Sequence, residues 1–167
     1  YSGYSVSLSN DGKIVAIGAV YGYVRVFTLK YDVILKYDAW VKVGQDLDEG
    51  IVSLSNDGKT VAVVGKTGYT RVFTRHESSM RVWTQVGADI YGSGFYPVSL
   101  SNDGETVGIG DPGAGQVKVF FLDHHNDRWV QDPTHTICLA GAGVDPIPGG
   151  GDTFSIDGSA TYTADKY

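Results

Sequence analysis

The segment richest in metal-ligand side chains is His124-His125-Asn126-Asp127. Neighbouring residues on a strand point to opposite faces, so one ion could take both histidines only from an irregular loop. A solvated turn is the expected state. His135-x-x-Cys138 supplies two ligand types without partners. Asp111-Pro-Gly-Ala-Gly115 places a carboxylate in what reads as a tight turn. Asp11, Asp57 and Asp103 stand at the same place in three copies of one motif, and could present three equivalent carboxylates on one rim. Turn formation already accounts for them. Arg25, Arg71 and Lys118 also recur, as a solvated face or as partners of nearby acids.

No Ser-His-Asp order, paired-carboxylate site, zinc motif or phosphate loop is present. A residue needed once for catalysis should break the repeat, and the residues that do so fall in loops of variable length. The sequence therefore assigns no catalytic, cofactor-binding or metal residue, and the chain is not expected to be an enzyme.

Those side chains hang on a repeat. Val6-Ser-Leu-Ser-Asn-Asp-Gly12 returns unchanged as 52–58 and as 98–104, a spacing of 46 residues each time. Val15-Ala-Ile-Gly18 is followed in the next copies by Val61-Ala-Val-Val64 and Val107-Gly-Ile-Gly110. Then come Gly22-Tyr-Val-Arg-Val-Phe27, Gly68-Tyr-Thr-Arg-Val-Phe73 and Gly115-Gln-Val-Lys-Val-Phe120. Segments beginning at Trp40, Trp83 and Trp129 close the units.

Each unit predicts four short strands. In the first, Val6 and Leu8 share one face and Ser5, Ser7 and Ser9 the other. The second is apolar on both faces, which suits a strand covered from both sides. Small residues recur there at Ala16, Ala62 and Gly108, where a neighbouring sheet could approach. Asn-Asp-Gly between these strands signals a tight turn. The third strand alternates with its cation outward. The fourth carries the tryptophan, as an outer edge strand. The third-to-fourth connection varies, and spans Leu29–Ala39 in the first unit.

The units are bounded at 1–50, 51–96 and 97–140. A Gly/Pro-rich linker and a worn fourth copy at Phe154-Ser-Ile-Asp-Gly158 fill 141–167, where the tail supplies one or two strands. The expected fold is all-β, a run of β-propeller blades with three clear four-stranded repeats and a degenerate partial fourth. A β-trefoil, also built from three four-stranded repeats, is the alternative. The chain holds about 3.6 such units against the four to eight blades of a closed ring. It begins inside a repeat without an initiator Met, so a processed chain or a fragment is expected.

The segment from Gly3 to Ala19 followed by Gly22-Tyr-Val-Arg-Val-Phe27 resembles an FG-GAP-type, integrin-α-like propeller repeat. It is also similar to the LSxDGxxVAIG repeats of large algal and bacterial surface proteins. The resemblance covers roughly residues 1–133. It implies four-stranded blades, an extracellular or cell-surface place, and in some relatives Ca²⁺ bound by an Asp-rich loop between the first two strands. Here that loop is only Ser9-Asn10-Asp11-Gly12 and its copies, without the series of alternating carboxylates.

Composition narrows the partners. With 13 Lys and Arg against 19 Asp and Glu, the net charge is −6, which disfavours nucleic acid and anionic membrane surfaces. No apolar run reaches the ~20 residues of a membrane helix. Cys138 is the one cysteine, so no intrachain disulfide forms, and a small buried residue is expected. The function expected is a non-enzymatic structural or protein-interaction module, part of a larger surface, extracellular or filament-like assembly. Its partner would be a protein, or another copy joined through open blade edges. No cofactor is expected. A propeller that binds a glycan or calcium is the alternative, with a propeller hydrolase behind it.

Overall fold

The computed structural model describes residues 2–34, 36–48, 50–76, 82–92, 96–132, 137–138, 153–156 and 160–163. The strict alternation of the first motif becomes strand β1 (Ser2–Leu8). It pairs with β2 (Ile14–Ala19), which pairs with β3 (Val24–Asp32), which pairs with β4 (Tyr37–Leu47), all antiparallel. The second unit repeats this meander as β5 (Ile51–Leu54), β6 (Thr60–Val64), β7 (Tyr69–Thr74) and β8 (Thr84–Tyr91). The third does so as β9 (Val98–Leu100), β10 (Thr106–Asp111), β11 (Gln116–Asp123) and β12 (Arg128–Gln131).

The register is conserved with the sequence. Val6 lies opposite Ile17, as Val52 lies opposite Val63 and Val98 opposite Ile109. The first strands β1, β5 and β9 run side by side, and the tryptophan strands lie at the far edge of each sheet. Separate four-stranded meanders stacked in this way are β-propeller blades. A trefoil would pool hairpins of all three units into one barrel, and three distinct sheets replace it here.

Two cores hold the stack. Ile14, Ala16, Val24, Val26 and Val43 of the first sheet pack on Val52, Leu54, Val61, Val63 and Trp83 of the second unit. Ala62, Val72 and Ile90 of the second sheet pack on Leu100, Val107, Ile109 and Phe120 of the third. The middle sheet thus contributes to both, and Val61, Ala62, Val63 and Val64 are all fully buried. Each such valine contributes about 1.5–3 kcal/mol of apolar burial.

One expectation is corrected. No loose connection spans Leu29–Ala39: β3 and β4 continue as a ribbon, with Leu29 opposite Trp40 and Asp32 opposite Tyr37. The β-forming Leu29, Tyr31 and Tyr37 prevail over the charges between them. The turn closes on Asp32, whose carboxylate accepts the Ile34 amide at 2.8 Å. The fourth strands β4 and β8 are outer edges, as expected. Trp83 is buried beneath the preceding sheet.

Beyond β12, β13 (Ile137–Cys138) pairs with Gln116 and Val117 and continues the outer row of the third sheet. There β14 (Thr153–Ile156) and β15 (Ala160–Thr163) form a hairpin that joins through Ile156 opposite Ile137. The tail does supply two strands. The linker at 141–151 and Asp157-Gly158 of the worn motif lie outside the described residues.

Candidate interaction surface

The repeated Ser-Asn-Asp-Gly turn is closed by its own side chains. Ser9 Oγ donates to Asp11 Oδ1 at 2.6 Å and accepts from the Ile14 amide at 2.9 Å. Asp11 Oδ1 also accepts from the Lys13 amide at 2.9 Å. Ser55 with Asp57 and Ser101 with Asp103 do the same in the other units. The serine hydroxyl, then the backbone amide, hold the Asp11 and Asp103 carboxyls below the ordinary carboxylate range. The three carboxylates therefore serve their turns.

The same turns join unit to unit. The Asn10 amide donates to the Asn56 carbonyl at 2.9 Å, and the Asn56 amide to the Asn102 carbonyl at 3.0 Å. On the adjoining strands, Ser7 Oγ accepts from the Leu54 amide at 2.9 Å and Ser53 Oγ from the Leu100 amide at 3.0 Å. The serine face of the first strand thus satisfies the open edge of the next blade, where unpaired amides would otherwise remain. At the outer edge the indole N–H of Trp83 donates to the Val43 carbonyl at 3.1 Å, and that of Trp129 to the Val86 carbonyl at 2.9 Å. Gln45 brackets the Trp83 backbone with bonds of 2.7 and 2.9 Å.

Gly58 is held to glycine twice over. Its φ is +66°, and a Cβ there would lie 2.6 Å from Ile14 Cδ1 of the preceding sheet. Gly104 meets Thr60 in the same way, at 2.8 Å.

The recurring cations are partners of acids. Arg25 pairs with Asp46 at 3.1 Å and Lys118 with Asp111 at 3.2 Å. Arg71 grips Asp89 through Nε at 2.9 Å and Nη2 at 2.7 Å, and also pairs with Asp48. These bonds, Asp89 first, raise the Arg71 pKa, and Arg71 in turn lowers that of Asp89. A cleft of about 370 Å³ opens beside this group, between Asp48, Lys66, Tyr69 and Arg71. The Arg71 guanidinium in its wall already carries two carboxylates.

Asp111 heads the turn read from the sequence, accepting the Ala114 amide at 3.2 Å. His124 lies 3.2 Å from Glu105, both exposed, and His125 donates its amide to Asp123 at 3.0 Å. Among the described residues, no three His, Cys, Asp or Glu side chains form a group that could hold a metal ion. Cys138 lies in β13, and His135 lies outside the described residues.

What the sequence missed is a face. Val52 is 5% exposed and Leu54 7%, because the first sheet covers them, while the equivalent Val6 and Leu8 are 58% and 57% exposed. Trp83 is 3% exposed and its counterpart Trp40 48%. Gly58 and Gly104 are buried and Gly12 is not. The leading face of the first sheet therefore offers the surface that both observed joints bury, in the open. The identity of the repeats carries that signal, once one knows which face each unit turns to the one before.

No protein-family model matches the chain, and no curated protein is significantly similar to it. Solved structures are. One is the periplasmic gluconolactonase of Pseudomonas aeruginosa, at 19% identity and a TM-score of 0.53 over 76% of this chain. Another, from Bacteroides fragilis, is described as a candidate 6-phosphogluconolactonase, at 18% identity and a TM-score of 0.53 over 75% of this chain. The likeness is one of fold. A β-propeller domain from Myceliophteria thermophila is more distant, at 12% identity and a TM-score of 0.47, over 80% of this chain and 44% of that one. The chain spans only 38% of the Pseudomonas structure and 36% of the Bacteroides one.

Proposed function

We propose that this chain is a non-enzymatic interaction module of FG-GAP-like propeller repeats, working within a larger extracellular or surface assembly. The observation that carries this reading is the exposed leading face, where Val6, Leu8 and Trp40 present to solvent what Val52, Leu54 and Trp83 bury. Large apolar side chains exposed on one sheet face mark an interaction site. The charged residues that recur are engaged in turns and ion pairs, which leaves the repeat as scaffold. Similarity to lactonases at 18–19% identity speaks for shared architecture and not for shared chemistry.

The test is direct. Purified chain is assayed on gluconolactone and 6-phosphogluconolactone, and its melting temperature is read with and without Ca²⁺ and a glycan panel. The expected result is no hydrolysis above the spontaneous rate and no rise in Tm. Turnover would replace the reading with an enzyme, and a ligand-dependent rise in Tm with a ligand-binding propeller.

A further inference from the structure

The first unit departs from the other two in the length of its third and fourth strands. Its β3 runs on to Asp32 and its β4 starts at Tyr37, whereas β7 ends at Thr74 and β11 at Asp123. The Leu29 amide donates to the Lys13 carbonyl at 2.8 Å, beside the Asn-Asp-Gly turn, as the Arg75 amide does to Lys59 and the Leu122 amide to Glu105. Past that level β3 continues through Lys30, Tyr31 and Asp32, about 10 Å of strand. At the tip Val33 is 77% exposed and Ile34 85%, the two most exposed large apolar side chains among the described residues. The second unit packs on this same sheet and leaves the tip bare, because its own β7 and β8 pair no further than Thr74 and Thr84. A unit of the same length on the other side would stop at the same level. The exposure thus follows from the length of the ribbon and not from where the chain starts.

The tip is held ready. Asp32 accepts the Ile34 amide on its carboxylate and the Lys36 amide on its carbonyl, both at 2.8 Å. Little ordering is then left to oppose binding. Behind the two aliphatic side chains stand Tyr31 and Tyr37, both exposed. Lys30 and Lys36 offset Asp32 and Asp38, so the ribbon carries no net charge. An aliphatic point, then tyrosines, then balanced charges reproduces the order of polarity met on entering a bilayer, where tyrosine rings favour the headgroup level. We propose that this ribbon seats the chain on a zwitterionic lipid bilayer, with Val33 and Ile34 entering the boundary between headgroups and acyl chains. The local charge balance and the overall charge of −6 both turn it away from anionic lipid. Lys30 and Lys36 keep their ammonium groups in water while their stems lie along the apolar boundary. The contact goes beyond the interaction-module reading and involves none of the residues that carry it.

Cosedimentation of the full chain with phosphatidylcholine vesicles tests it. The expected result is a bound fraction that rises with lipid into the millimolar range and does not fall with added salt. Val33→Asp and Ile34→Asp, both at exposed positions, should each lower the partition coefficient about tenfold, with unchanged circular dichroism. Ile34→Trp should raise it about threefold, because an indole favours the bilayer interface. Tyr21→Ser, at an exposed position on the opposite end of the first sheet, should leave it unchanged. Absence of partition would overturn the inference. So would partition indifferent to the tip variants, or lost equally with Tyr21→Ser. Binding that requires phosphatidylserine and disappears in salt would mean adsorption led by charge, and would also overturn it. Self-association without lipid that Ile34→Asp abolishes would make a second copy the occupant of the tip, against the proposal. The lactone assay reads the module's non-enzymatic character independently. Turnover with partition would sink that reading alone, and inactivity without partition the lipid contact alone.

Discussion

Thr70 is fully buried, and its hydroxyl has no hydrogen-bond partner among the described residues. The first and third units have Val24 and Val117 at that position. A buried hydroxyl without a partner keeps its desolvation penalty and gains nothing in return. Thr70→Val is nearly isosteric and should raise stability by about 1 kcal/mol. A urea midpoint that stays put or falls would contradict this. The carboxylates held in turns and ion pairs give a second prediction at this scale. Asp11, Asp89 and Asp103 have folded-state pKa values below the ordinary one. On acidification the unfolded chain takes up these protons first. Their stabilisation is complete above about pH 4–5 and is lost as the pH falls through the lower folded-state values. Tm should therefore hold near neutrality and decline below about pH 4. A Tm that rises on acidification would refute the linkage.

At the scale of the element, repetition allows one substitution to be made in two environments. Gly12 and Gly58 have nearly the same φ, +68° and +66°, but only Gly58 faces a neighbouring sheet. Gly12→Ala should cost about 1–2 kcal/mol for the left-handed backbone alone. Gly58→Ala should cost a further ~1–3 kcal/mol, because Ile14 must move. Equal losses in denaturant unfolding would mean that the joint does not constrain the turn. Trp83→Phe should likewise cost about 1–3 kcal/mol by removing the buried indole's bond to the Val43 carbonyl and part of its packed ring. Trp40→Phe, at an exposed position, should stay within about 0.5 kcal/mol. The elements themselves were legible in the sequence, because Val6 and Leu8 alternate with serines and Asn-Asp-Gly marks each turn. The joints were not. Alternation shows that Ser7 and Ser53 share a face, but not that their hydroxyls receive amides 47 residues away. Nor does a Trp in an outer strand reveal which neighbouring sheet it covers. The partners of Arg71, Asp48 and Asp89, come from segments without a constant spacing, so the sequence showed a cation but not its grip.

At the scale of the whole molecule, the three blades are unequal although their sequences are nearly alike. A stacked repeat gains stability chiefly from its interfaces with neighbours. The second blade has two such interfaces, and the first has one. Amides of Val61–Val64, in a strand paired on both sides and covered on both faces, should exchange only on global unfolding. Amides of β1, on the open side of the first sheet, should exchange through smaller openings and so much faster. Native-state hydrogen exchange measures both, and uniform protection across the blades would show that the stack unfolds as a single unit.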